Sequence, residues 1–208
     1  SVISVEATDP REVLAGREAP SHIRLELSGG VMDRRETLEF SWRVDGQLWR
    51  PFSELRQVTI RDPQLLLPGW HEIEVRARRV GDYRSLDQSP AKLQVLIDAI
   101  PPVLELEHHV AQRVLRFSAS DQVSPPDKLH LERRWRGTDD EAWAPWRGLD
   151  ELKGELRLPD RAGTLELRLH DEAGNQEVEV IKVEAKTTAL IGRPDPALAE
   201  SGSADGCS

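Results

Sequence analysis

Strict alternation of apolar and polar residues, broken by tight turns, recurs in both halves of this chain and restricts it to half-buried strands. Leu38, Phe40, Trp42 and Val44 alternate with Thr37, Glu39, Ser41 and Arg43, the period of a strand with one buried face. Asp45-Gly46 then marks a tight hairpin turn. Beyond the Pro68-Gly69 break, Ile73, Val75 and Ala77 alternate with Glu72, Glu74, Arg76 and Arg78, so a second half-buried strand follows. The same succession returns later. Trp135 stands for Trp42, Trp143-Ala144-Pro145-Trp146 for Trp49-Arg50-Pro51-Phe52, and Gly163 for Gly69; Leu165, Leu167 and Leu169 repeat Ile73, Val75 and Ala77.

The offset of about 94 residues is too long for a solenoid and suits tandem domains. Each half is long enough to close a sandwich core without staples. The expected division is therefore residues 1–99, a sandwich; 100–187, a second sandwich; and 188–208, a flexible tail rich in Ala, Gly, Ser, Pro and Asp. In the first half we expect an edge strand at Val2 to Val5 and a strand at His22 to Ser28 with Ile23, Leu25 and Leu27 inward. A short return strand carries Leu48, Trp49 and Phe52, an edge or bend is split by Asp62-Pro63, and a last strand runs from Lys92 to Asp98. That makes about seven strands. Pro101-Pro102 forms a short, stiff junction, because proline fixes φ and removes a donor. Near the end of the second half the apolar parity switches from Val178 and Val180 to Ile181 and Val183, which predicts a β-bulge.

Composition narrows the function. The net charge is -9, and basic residues are interleaved with acids on strand faces, so nucleic acid is not expected as a partner. No apolar run reaches the length of a membrane span, and no signal peptide is visible. Cys207 is the only cysteine, so neither half can hold an inter-sheet disulfide. The chain starts at Ser1, which reads as a processed protein or a piece of a larger one.

No catalytic constellation stands out. There is no G-x-S-x-G elbow and no phosphate-binding glycine loop, and none of His22, His71, His108, His109, His130 and His170 stands in a zinc pattern. Surface positions are expected for these histidines. Trp42 and Trp135 lie on inward parity and are expected in the cores, and Trp70 is expected to pack at a strand start. Trp49, Trp143 and Trp146 lie beside turns and prolines; they are the candidate ligand-binding residues, offering aromatic faces for sugar rings or a partner, or else they cover one end of each sandwich. Asp98, Asp121, Asp127 and Asp171, with Glu172 and Asn175, lie near module ends where calcium would stiffen a joint, yet no stretch shows dense ligand spacing. The expectation is no metal, no cofactor and no enzyme. Arg133 falls on the inward parity occupied by Phe40 in the first half, where it needs a carboxylate or the face of Trp135.

With these residues in hand, both halves resemble the bacterial immunoglobulin-like or fibronectin type III-like repeats of secreted and cell-surface proteins. The pattern is F-x-W-R-V-D-G-x-x-W-x-P-F, then L-x-P-G-W-H-x-I-E-V-R-A-R, then Ile97-Asp98 and Pro101-Pro102. The second half fits through Trp135, Trp143 to Trp146, Gly163 to Asp171 and the turn Asp171-Glu172-Ala173-Gly174-Asn175. The end, Ala204 to Ser208, resembles the start of a myxobacterial-type C-terminal sorting signal, which implies lipidation or processing at Cys207 and a membrane tether there. The resemblance implies an all-β fold of two tandem immunoglobulin-like sandwiches and a non-enzymatic, extracytoplasmic spacer or interaction segment of a larger bacterial surface protein. Its partners would be other domains of the parent and surface polysaccharide or protein. Two alternatives stay open: a carbohydrate- or protein-binding module using the tryptophans, and an accessory domain of a secreted hydrolase.

Overall fold

The computed structural model describes residues 1–29, 37–109, 112–137 and 141–185. The expected tail 188–208, with Cys207, lies outside the described residues. In the first half, β1 (Val2–Glu6), β2 (His22–Glu26) and β4 (Gln57–Ile60) form one antiparallel sheet in the order β1-β2-β4. The facing sheet, β3-β5-β6, comprises β3 (Leu38–Val44), β5 (Gly69–Arg79) and β6 (Ala91–Ile97). Ile23, Leu25 and Leu27 from one sheet meet Phe40, Val44, Ile73, Val95 and Ile97 from the other in a single buried cluster. Each such side chain contributes about 1.5–3 kcal/mol on burial.

The second half repeats the design. One sheet has the order β11-β8-β7, from β7 (Val103–His109), β8 (Val114–Ser120) and β11 (Lys153–Arg157). The other has the order β10-β9-β12-β13, from β9 (His130–Arg136), β10 (Arg147–Leu149), β12 (Gly163–His170) and β13 (Gln176–Val183). Its core is a separate cluster that includes Leu104, Leu115, Phe117, Leu131, Leu165, Leu167 and Leu169. Two sandwiches with two cores result. Among the described residues the only α-helix is α1 (Pro10–Leu14), a single turn in the segment expected as a loop; the Asp9 side chain caps it by accepting from Arg11 N. No helix among the described residues is long and apolar enough to cross a membrane.

The turn at Asp45-Gly46 forms as its sequence requires, with φ of 47° and 68°, the positive pair of a type I′ hairpin. Three other expectations need correction. The return segment after Gly46 does not become a strand. It contacts β3 through Phe40 and Ser53, and through Arg50 N donating to Trp42 O at 2.8 Å, while Pro51 between them has no N–H for a ladder. The described first half therefore has six strands, not seven. No bulge interrupts β13, whose register against β12 runs unbroken from Gly163 opposite Val183 to His170 opposite Gln176. Val178 and Val180 simply face outward on an edge strand, 41% and 57% exposed, where isolated apolar side chains are tolerated. Trp70 is 55% exposed, because its neighbours His71 and Ile73 take the buried positions at the start of β5.

Candidate functional site

The outer face of the β3-β5 sheet carries a ladder of alternating cations and rings. Cross-strand register sets Glu39 opposite Arg78, Ser41 opposite Arg76 and Arg43 opposite Glu74. The return segment lays its aromatics over this row. Trp49 sits between Arg43 at 4.6 Å and Arg76 at 4.0 Å, Phe52 between Arg76 at 5.4 Å and Arg78 at 3.9 Å, and Tyr83 lies 3.8 Å from Arg78. Covering the face explains why Ser41 and Glu74 are buried although their parity points away from the core. Ser41 Oγ donates to Arg50 O at 2.6 Å and fixes the segment in place.

The second sandwich builds the same device. Arg136 lies over Trp143 at 4.7 Å, Arg134 over Trp143 at 4.5 Å and over Trp146 at 4.4 Å, and Arg168 over Trp146 at 4.1 Å. Glu166 and Glu132 pair with Arg134 and Arg168 across the β9-β12 register. Trp49, Trp143 and Trp146 are thus half-buried members of a stack, with guanidinium groups on ring faces that a sugar would use. The ladder charges are biased accordingly. The Arg78 guanidinium holds the Glu39 carboxyl below its ordinary value, against the effect of its burial. Arg43 does the same for Glu74, helped by Lys92. Arg76, opposite a serine, is pushed down by burial and by its neighbours Arg43 and Arg78.

Trp42 and Trp135 pack against the two cores as their parity implies. The histidines divide. His130 and His108 are exposed, but His22 and His71 are buried, contrary to expectation. His71 lies at the base of the hairpin, with Nδ1 2.7 Å from Asp45 Oδ2 and Nε2 2.8 Å from Leu67 O. Both ring nitrogens are engaged with the fold, which leaves neither for proton transfer to a substrate. Arg133 has the inward parity its position implies, but has neither a carboxylate partner nor the Trp135 face among the described residues. It instead lines an open, largely apolar cavity of about 290 Å³ with Trp135, Leu165 and Pro145.

Three of the carboxylates near the module ends converge at the joint between the sandwiches. One oxygen from each of Asp98, Asp121 and Asp171 lies within 4.8 Å of the others. Asp98 follows β6, Asp121 follows β8 and Asp171 follows β12. Backbone N–H groups orient them: Ile100 N donates to Asp98 Oδ1 at 3.0 Å, Val123 N and Ser124 N to Asp121 Oδ2, and Asn175 N to Asp171 Oδ1 at 2.8 Å. Asn175 Nδ2 donates to Asp171 Oδ2 and reaches the linker carbonyls of Asp98 and Ile100 at 3.3 and 3.4 Å. Asp127 is not part of the group, and Glu172 pairs with Lys128 at 3.4 Å.

Comparison with protein-family models finds no match, and comparison with curated proteins finds none. Among solved structures, a two-domain fibronectin type III segment of chicken tenascin aligns over 88% of this chain and 99% of its own, at 9% identity and a TM-score of 0.38. The FN1-FN3 domains of chicken CNTN1 align over 88% of this chain and 66% of theirs, at 10% identity and a TM-score of 0.37. From its own strand order and paired cores, the chain is a tandem of two antiparallel β-sandwiches.

Proposed function

We propose that this chain is a non-enzymatic spacer and interaction segment of a larger bacterial surface protein, working outside the cytoplasm. The observation that carries the reading is the joint. Only Asp98 to Pro102 separates β6 from β7, Pro102 is fully buried, and Asn175 of the second sandwich reaches back to two carbonyls of that linker. Prolines that fix the linker backbone and side-chain contacts that hold it favour a fixed direction over free swivelling, which is what a module that sets distance needs. The ladders support the same reading, since cations and rings that satisfy each other stiffen a sheet face and leave less of each ring for a ligand.

Two measurements test it. Surface labelling of intact host cells should reach the protein, and full protection until lysis would contradict an extracytoplasmic role. Titration of the chain with host surface polysaccharide should leave its tryptophan fluorescence unchanged. A saturable change abolished by Trp143→Ala would replace the spacer reading with a recognition module.

A further inference from the structure

We propose that Asp98, Asp121 and Asp171 form a binding site for a calcium-class divalent cation that clamps the linker onto both sheets of the second sandwich. The convergence of three carboxylates is joined by a second observation. Asp98 is 5% exposed, and its Oδ2 is buried with no hydrogen-bond partner. A carboxylate oxygen removed from water and left unpaired is costly, and an ion at the centre of the cluster would supply the missing partner. Asp171 is equally buried, at 5%. No Lys, Arg or His pairs with any of the three among the described residues, and the nearby Lys128 is committed to Glu172.

The donor set selects the ion. All three donors are hard carboxylate oxygens, with no imidazole or thiolate, which suits calcium, magnesium or manganese and not zinc or copper. Ligands 2.3–2.6 Å from a shared calcium stand at most about 5 Å apart, and the spread of 4.8 Å falls inside that limit. The donors come from irregular strand ends, which adapt to the variable coordination of calcium more readily than to the strict octahedron of magnesium. Asp98 belongs to the linker, Asp121 follows a strand of one sheet and Asp171 a strand of the other, so one ion would join all three.

The test is calorimetric titration of the chelator-treated full chain with calcium chloride, paired with thermal unfolding. The expected result is saturable binding at one site in the micromolar to millimolar range, with a rise of a few degrees in melting temperature. Asp98→Asn and Asp121→Asn should abolish both. Each keeps an oxygen to accept its present backbone hydrogen bonds, so both variants should fold. In chelator, Asp98→Asn should melt at or above the parent, since it removes an unpaired buried charge. Magnesium at the same concentration should give a smaller shift. Absence of saturable calcium binding at millimolar concentration, or unchanged binding in Asp98→Asn, would overturn the site; an equal response to magnesium would overturn the calcium assignment. Binding is read directly, so either failure leaves the spacer reading standing.

Discussion

Gly163 and Gly69 hold matching places before the two long strands, for different physical reasons. At Gly69 the backbone adopts φ of 140°, a conformation that side-chain-bearing residues rarely take, and nothing crowds the space a Cβ would fill. At Gly163 a Cβ would strike the Trp135 ring and the carbonyl of Arg136, so the residue is small because a tryptophan lies against it. Gly163→Ala is therefore expected to destabilise the second sandwich by about 2 kcal/mol, since a carbonyl and a packed ring must move. Gly148→Ala, with nothing within 4 Å, should be near neutral. Urea unfolding curves of the two variants check the contrast. The tryptophans show how far such residues were legible in sequence. Trp42 and Trp135 could be placed by parity alone, because burial on a strand follows the alternation. Trp49, Trp143 and Trp146 could not, because they lie outside the alternation and the arginines that stack on them combine near neighbours, Arg43, Arg134 and Arg136, with Arg76 and Arg168 from the adjacent strand.

At the scale of the element, each sandwich stabilises the outer face of one sheet with charges and rings in cross-strand register. Trp146 lies over two guanidinium groups, so Trp146→Ala should cost about 1–2 kcal/mol from those contacts, while Leu48→Ala, at a residue 89% exposed, should cost almost nothing. The charges give the ladder a pH signature. The folded-state values of Glu39 and Glu74 lie below the ordinary 4.5, first through the Arg78 and Arg43 partners respectively. Their contribution is thus fully present above about pH 4.5 and is lost as pH falls through the depressed values, because the unfolded chain then binds more protons. Denaturant midpoints measured from neutral pH down to about pH 3 should fall below that point, and Glu39→Gln should flatten the decline. The strands that form these faces were legible from period-two alternation. The return segment was not: its aromatic spacing suggests a strand, but Pro51 breaks the ladder and its rings seek the arginines instead. The parity switch in β13 was misleading for a related reason. An edge strand can leave Val178 and Val180 outward without a bulge, so apolar residues there do not define the inner face.

For the whole molecule, the repeat announced two sandwiches, and Pro101-Pro102 announced the joint between them. The carboxylates of the proposed cation site could be placed near module ends in sequence, but not which of them converge, because Asp98, Asp121 and Asp171 come from three separate strand ends, whereas a dedicated loop would place its donors close together in sequence. The central claim is that the joint holds the two sandwiches in one direction. Pulsed electron–electron distance measurement tests it most directly, with spin labels at Leu14→Cys and Lys153→Cys in a Cys207→Ser background, both sites being exposed. A single narrow distance distribution is predicted for this chain, broadened by Asn175→Ala, which removes the contacts to the Asp98 and Ile100 carbonyls. A distribution as broad before that substitution as after it would contradict the account and make the two sandwiches independent modules on a free hinge.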